Sequence, residues 1–505
     1  MFGGLTGEWS PARLAWSSFL GASGPLQAAV AFVLVAGILA AVVSLRMRRY
    51  SDCALLVIAC CAAMRYIRLQ ALCALVIVIV GGRLLDVAYR HGISEARRRV
   101  SVQWAFSCAL IFVALVGGIN LISNRYYVMA SSTSQFGAGE SWWFPERAAE
   151  FVQREKLPGQ IFHDYNVGGF VALKLGPEYP DFIDGRSIPF GPKVFLEQAL
   201  LLRQPLDSSG WTTEADQRGI NILLFPLARF GGLGTVDLAG LCRSSNWRPV
   251  YFDEVSIVLL RNIPQNRRWI DRLEVDCSKQ KFKLPAGSRM TRFNALSNQA
   301  SILYVLSRDQ EALAALRGAE AIFPYDPNVP LTRGQLFQSQ GRASEAEGQY
   351  REALRRKQTD TAWMALGNLL ASQGKLRDSR EAMRQAAGLA PHPESAFKSM
   401  GQLSLALQDP DEALEEFDRA ESASPYRGGA EVLGTEFFAQ LDQGRAEAWR
   451  QKNDLAKAIE FQLRAVSRTP EAQKRWVDLA KLYDAAGRTS DADRARARAA
   501  ALSRR

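Results

Sequence analysis

Apolar positions follow three different patterns along the chain. Leu26 to Leu45 is a twenty-residue run without a charge, which at about 1.5 Å per residue just covers a hydrocarbon core of about 30 Å. Val102 to Ile122 is a second uncharged run, with Trp104 near one end and Arg125, Tyr126 and Tyr127 past the other, as interfacial anchors are placed. Between them Cys53 to Met64 and Leu69 to Gly82 are apolar but short, and Arg65 and Arg68 interrupt them. They form either one long helix or a hairpin of two. From Trp142 to about Cys277 short apolar runs alternate with amphipathic stretches, and after Arg292 the chain is Ala-rich and self-similar.

Charge changes the picture of the first part. The formal net charge is +11 over 505 residues, and residues 1–124 hold eleven Arg, no Lys and four acids, 11 − 4 = +7. The basic excess therefore surrounds the most apolar segment, where it marks membrane orientation and excludes a nucleic-acid partner. Arg46, Arg48 and Arg49 share one side with Arg83, Arg90, Arg97, Arg98 and Arg99 only if the chain turns at Arg65–Arg68. The expectation is thus a helical transmembrane bundle over residues 1–124, with four spans near 26–45, 53–67, 69–88 and 102–122. A re-entrant pair ending at the same turn is the alternative, and membrane lipid is a partner in either case. Residues 124–505 then face the extracytoplasmic, periplasmic side of a bacterial inner membrane. Residues 1–24 lie outside as well, without the basic and apolar regions of a signal peptide, which points to further spans upstream.

Residues 125–278 are expected to form a small extracytoplasmic α/β domain. Pro145 opens a helix with Ala148, Phe151 and Val152 on its apolar face, and strands follow at Ile161–Phe162, Phe182–Ile183, Ile220–Phe225, Val250–Asp253 and Val255–Arg261. Two turns after strands carry unusual chemistry: Asp164-Tyr165-Asn166-Val167-Gly168-Gly169, and Asp184-Gly185-Arg186. Either Asp164 caps a helix, the glycines permit close packing and Asp184 pairs with Arg186, or Asp164, Tyr165, Gly168, Gly169, Asp184 and Arg186 bind a ligand. His91, His163 and His392 lie far apart in sequence, so neither a metal site nor a cofactor is read from the chain. Cys242 and Cys277 form a disulfide in an oxidising compartment or remain two free thiols.

The Asp-Tyr turn with glycines and an aromatic, followed some fifteen residues later by an Asp-Gly turn, resembles the globular domain of oligosaccharyltransferase catalytic subunits, of the GT-C glycosyltransferase class. With GEWSPA around Glu8 and Trp9, RYIRLQAL, GGF and FIDGR, residues 7–262 resemble the C-terminal half of bacterial GT-C-like membrane proteins. The resemblance implies that the two turns contact an acceptor or a lipid-linked sugar. The chain departs from that pattern in His163 preceding Asp164, in Asn166-Val167 before the glycines, and in Glu8 as the one acid before the first span. No paired acids for metal binding precede the spans, so a catalytically complete enzyme is not expected and no catalytic residue is assigned.

Residues 279–291 are a linker, and residues 292–505 hold six repeats. Small residues recur at Ala312, Ala346, Ser379, Ala413, Ala458 and Ala492, with spacings of 34, 33, 34, 45 and 34. Matching positions on each first helix are Ala300, Gly334, Gly367, Gly401, Ala446 and Ala480, and the 45-residue step marks an insertion near Gly428–Phe438. The pattern is that of tetratricopeptide repeats, an α-solenoid whose groove takes a protein or peptide. The function expected is a membrane-anchored interaction scaffold outside the cytoplasm; the alternative is a GT-C-like glycosyltransferase or a subunit of one.

Overall fold

The computed structural model describes residues 24–65, 69–83, 115–129, 141–184, 191–227, 237–426 and 431–503, together with positions 108, 111, 112 and 135. Residues 119–356 form one compact unit, and the segments on either side of them are grouped in another.

The N-terminal segment folds as α1 (Gly24–Arg46), α2 (Tyr50–Arg65) and α3 (Gln70–Val76), the last running into a π-helical turn, Ile77–Gly81. Arg48 turns the chain between α1 and α2 in the left-handed region, and an Arg49–Asp52 ion pair of 2.8 Å opens α2. Leu34, Ala40, Leu56, Cys60, Cys73 and Ile77 pack inward. A Cβ at Gly37 would lie 2.6 Å from Cys60 Sγ and 2.8 Å from Ile77 Cδ1, so glycine there sets how closely the three helices approach. Phe32, Val35, Ile38, Ile58, Val78 and Ile79 are exposed on the outside. Among the described residues no helix is long and apolar enough to cross a membrane, which overturns the expected transmembrane bundle. The chain breaks too often: α2 has 16 residues, about 24 Å, and α3 has 7 before its π turn. The side chains of α1 are described over positions 31–46. Residues 84–107, and with them the end of the span expected at 69–88 and the start of that at 102–122, lie outside the described residues, as do Glu8 and Trp9.

In residues 119–356 the elements run α4 (Glu146–Glu155), β1 (Gln160–His163), α5 (Gly168–Leu175), α6 (Gly191–Leu201), α7 (Ser209–Arg218), β2 (Ile220–Pro226), α8 (Leu238–Arg243), β3 (Trp247–Phe252), β4 (Ser256–Arg261) and α9 (Arg267–Leu273). The sheet order is β1-β2-β4-β3, with β1 parallel to β2 and the other pairs antiparallel. Alternation along β4 sends Val258 and Leu260 to a core with Ile222, Leu224, Ala148, Val152 and Ile270, and Ile257 and Leu259 to a core with Phe162, Leu223, Phe225, Trp211 and Leu241. Helices cover both faces, which is why β2 and β4 are almost continuously apolar rather than alternating. Phe182 and Ile183, expected as a strand, stay irregular because the Phe182 N–H is bonded to the His163 ring instead of a ladder.

Cys242, near the end of α8, is bonded to Cys277, 35 residues on, across the β3–β4 hairpin. Residues 279–291 are docked rather than free. Gln280 Nε2 donates to the Phe252 carbonyl at 2.5 Å, and Phe282 sets its edge against Phe252. Ser288 then caps α10 (Arg289–Val305) by accepting from Thr291 N–H. Asn298 of α10 donates to the Glu254 carbonyl, and Ile302 enters the second core, so the first repeat helix is packed onto the sheet.

The remaining elements are helix pairs. α10 pairs with α11 (Asp309–Ile322), and α12 (Asn328–Ser339) with α13 (Ala343–Arg356). In the other unit α14 (Asp360–Ser372) pairs with α15 (Leu376–Leu389), α16 (Glu394–Ala406) with α17 (Pro410–Ala423), α18 (Thr435–Gln451) with α19 (Leu455–Arg468), and α20 (Gln473–Ala485) with α21 (Thr489–Ser503). All six periodic small residues, Ala312, Ala346, Ser379, Ala413, Ala458 and Ala492, are fully buried. A Cβ at Gly334, Gly367 or Gly401 would lie within 2.9 Å of Tyr350, Met383 or Phe417, respectively. Ser307, Gly341, Gly374, Gln408, Asn453 and Gly487, each five residues before a periodic small residue, turn the chain at positive φ. The insertion gives a 3₁₀ turn, Glu431–Gly434, and lengthens α18 to 17 residues. Arg445, 5% exposed in its side chain, fixes α18 by binding Asp418 at 2.8 Å, Glu421 at 2.5 Å and Asp442 at 3.3 Å, while Arg468 holds the far oxygen of Asp442 at 2.8 Å.

Closing a loop of this length removes unfolded-state entropy worth about 4 kcal/mol. Cys242→Ala together with Cys277→Ala, or addition of a reductant, is therefore expected to lower denaturant stability by about that amount. A change in unfolding free energy below a tenth of that would show that the bond adds no stability.

Candidate functional site

The two turns singled out in the sequence meet around His163, the last residue of β1. Its ring is fully buried, donates from Nδ1 to the Asp164 carbonyl at 3.0 Å and accepts at Nε2 from Phe182 N–H at 2.9 Å. Those two bonds require the neutral Nδ1–H tautomer, and burial pushes the imidazole pKa down. Gln198 Nε2 donates to the His163 carbonyl at 2.7 Å, adding α6 to the joint. His163, in the sequence a departure from the resembled motif and one of three scattered histidines, is the side chain that ties the first turn to the second.

Asp164 accepts from Asn166 N–H at 2.8 Å and from Asn166 Nδ2 at 2.7 Å, capping the 3₁₀ turn Tyr165–Val167. Tyr165 sets its ring edge-on to Phe195 at 5.4 Å. Gly168 is buried against the second turn: a Cβ on it would lie 2.0 Å from the Ile183 carbonyl oxygen and 2.8 Å from Asp184 Cα. Gly169 is exposed and has open space around it, and Asp184 is 1% exposed. Arg186 lies outside the described residues. Five of the six predicted residues thus lie in the two turns that meet at His163.

Two cavities lie elsewhere in the unit, where Trp142 meets α10. One, of about 220 Å³, is lined by Trp142, Asn294, Ser297, Asn298, Asp326 and Thr332 among others. Three polar atoms of residues that line it, Trp142 Nε1, Asn294 Nδ2 and Ser297 Oγ, are closed to solvent and lack a partner among the described residues. Asn294 as a whole is 7% exposed and Asp326 2%. Asp326 Oδ1 accepts from Asn328 N–H and Val329 N–H, both at 2.8 Å, at the start of α12, and burial pushes its pKa up to about 6. The neighbouring cavity, of about 370 Å³, is lined by Trp142, Arg147, Asp253, Glu254 and Thr291 among others. Arg147 binds Glu254 at 2.5 Å and Asp253 at 3.2 Å, and burial pushes the Glu254 pKa up. Asp253 also accepts from Val255 N–H, Ser256 N–H and Tyr251 OH, so these acids build the β3–β4 turn. Among the described residues no group of three or more His, Cys, Asp or Glu is placed to hold a metal ion.

The wall of the first cavity was missed in the sequence. Its signal is a polar stripe, Asn294, Ser297, Asn298 and Ser301, at i, i+3, i+4 and i+7 of one helix, where an ordinary packing face is apolar.

With the fold in view, the comparisons fall on the helix pairs. The tetratricopeptide repeat family model matches residues 331–396 and 364–428. These segments are tetratricopeptide repeats. Among solved structures the chain is similar to MamA from Desulfovibrio magneticus RS-1 (20% identity, TM-score 0.31, 35% of this chain and 95% of that one). It is also similar to PilF of Pseudomonas aeruginosa (16%, 0.35, 41% and 90%), and to YrrB, titled a TPR protein with an unusual peptide-binding site (18%, 0.30, 36% and 88%). No protein in the curated set matches. None of these comparisons supports the GT-C resemblance. The repeats make a scaffold suited to protein–protein interaction.

Gly168→Ala is expected to destabilise the chain by about 2 kcal/mol or more, since backbone of the second turn must move, while Gly169→Ala is tolerated. Equal unfolding midpoints for the two variants would contradict that packing. Asp326 has a native pKa above its unfolded value of about 3.9, so the folded state binds more protons between the two, and stability falls as pH rises through that window. Asp326→Asn keeps the capping oxygen and removes the buried charge. It is expected to exceed the wild type in urea stability by about 2 kcal/mol at about pH 8, and to lose that advantage by about pH 4.

Proposed function

We propose that the chain is a scaffold whose tetratricopeptide repeats hold a peptide or protein partner outside the cytoplasm, with membrane lipid contacted through the apolar flank of α1–α3. The observation that carries this reading is the run of helix pairs at tetratricopeptide spacing, matched over residues 331–428 and built on buried small residues at every period. Such pairs leave one face of each first helix available along the array, and an extended partner is what that geometry holds. The Cys242–Cys277 bond supports the compartment, because disulfides persist where thiols are not kept reduced. The exposed Phe32, Val35, Ile38, Ile58, Val78 and Ile79 support the lipid contact, since so large an apolar patch on a protein in water marks an interaction surface.

A photocrosslinker placed in cells at Thr361 or Lys474, exposed positions on the first helices of their pairs, is expected to give a discrete polypeptide adduct. The same group at Arg377, exposed on a second helix, is the control and is expected to give none. Adducts of equal yield at all three sites would remove the partner-holding face. Thiol alkylation of acid-quenched cells is expected to leave Cys242 and Cys277 unmodified until a reductant is added; labelling without reductant would place the domain in a reducing compartment.

A further inference from the structure

We propose that the groove of the first two helix pairs is a docking surface for a short apolar helix led by a basic residue, and that residues 125–129 fill it in cis, so that a partner enters there only by displacing them. This deepens the reading of the repeats as a partner-holding scaffold and rests on it.

The register of the first helices shows where the groove is closed. Thr361, Ser395, Gln440 and Lys474 stand six residues before the small residues Gly367, Gly401, Ala446 and Ala480, and none of the four is buried. Asn294 stands at the same step before Ala300 and is 7% exposed. What covers this face is the chain itself. Asn124 turns at positive φ into the short helix Arg125–Met129, whose Val128 is 2% exposed and shares one core with Met290 and Phe293 of α10 and Val329 of α12. Tyr127 packs on the same cluster, and the Arg125 guanidinium lies 5.5 Å from the centre of the Tyr325 ring, in the turn between α11 and α12. Further along, Gln135 Oε1 accepts from Ser288 Oγ at 3.2 Å, and Trp142 lines the same cavity as Asn294.

These contacts are those of a bound peptide. A helix of five residues does not hold itself together in water, so its order comes from the groove. An apolar helix seated in a groove by a few anchor side chains is a recurring mode of peptide recognition. The fit is incomplete: a cavity of about 220 Å³ remains, lined by Tyr127, Val128 and Trp142 together with Ser297, Asn328 and Thr332 of the repeats. Packed interiors leave few voids larger than a water molecule, so this occupant is seated less closely than a core element. It also defines the partner that it excludes: an aliphatic anchor at the Val128 position, an aromatic residue beside it, and a cation three residues earlier for the face of Tyr325.

The test is fluorescence anisotropy on the full chain, with a labelled peptide of residues 123–131 as the probe. Val128→Asp puts a charge at the apolar anchor and drives the helix out of the groove. That variant is expected to bind the peptide at least about tenfold more tightly than the wild type, because a groove that is mostly filled lowers the apparent affinity by the fraction of chains in which it is open. A peptide with Asp in place of Val128 is expected not to bind. Tyr325→Leu, added to the Val128→Asp chain, is expected to weaken binding about threefold, the loss of one exposed cation–π contact. Should Val128→Asp fail to fold, Arg125→Ala combined with Tyr127→Ser releases the helix in its place. Equal affinity of the wild-type and released chains, equal affinity for the two peptides, binding untouched by Tyr325→Leu, or no binding to a released chain would each overturn the proposal. Adducts at Thr361 and Lys474 report on the later pairs, so they separate its failure from that of the scaffold reading.

Discussion

The helix pairs depend on how closely two helices approach at one small residue on each. Where Gly401 faces Phe417 a single added carbon would sit 2.6 Å from the ring, a distance that packed atoms do not tolerate. That constraint sets the period of the whole repeat region. The second small residue is buried on the opposing helix, and the residue four positions after it is the large side chain that closes over the first: Tyr350, Met383 and Phe417 follow Ala346, Ser379 and Ala413. Five positions before it the chain must reverse, and it does so with a residue at positive φ in every pair. Gly, Asn, Ser and Gln share this duty, so the backbone requirement is stricter than the residue choice.

A second close approach organises the α/β region by the same logic with different chemistry. Gly168 lets the first turn lie against the Ile183 carbonyl, and the neutral ring of His163 spans the gap with one donated and one accepted bond. A charged imidazole has no acceptor for its second proton there, since Nε2 faces an N–H. Acid therefore works against this joint: with the native pKa lowered, stability present above the unfolded His value is lost as pH falls through it. The turn residues that resembled an acceptor-binding motif are bound to one another by these contacts. Their unusual composition follows from the geometry of the joint.

What could be read from the sequence was what repeats locally. Small residues at a fixed spacing, and the short apolar runs Ile220–Phe225 and Ile257–Leu260, report packing within a few residues, and the elements lie where those patterns put them. The pairing of Cys242 with Cys277 depends on a Cα–Cα separation of 6.0 Å that no spacing along the chain reveals. The N-terminal helices misled because apolarity was taken for span length. Arg48 turns the chain after α1, both α2 and α3 are short, and the exposed apolar side chains lie on helices that, among the described residues, are not long and apolar enough to cross a membrane.

The polar stripe of α10 was not read because its meaning is tertiary. Polar residues at the equivalent register occur in later repeats, where they are already paired: Lys398 Nζ donates to Gln440 Oε1 at 2.7 Å, and Gln443 Nε2 to Asp478 Oδ2 at 3.2 Å. Those contacts link first helices of successive pairs and leave the amide groups satisfied. In the first pair Trp142 from outside the repeats lines the same cavity as the stripe, and Asn294 Nδ2 and Ser297 Oγ are buried without a partner among the described residues. An unpaired buried amide costs about 1–3 kcal/mol, which an apolar residue of similar size would avoid. Unpaired buried atoms recur in later pairs at Gln373 Oε1, Gln451 Oε1 and Arg475 Nε, so the period fixes the backbone and the small residues while the polar pairing between helices is settled repeat by repeat.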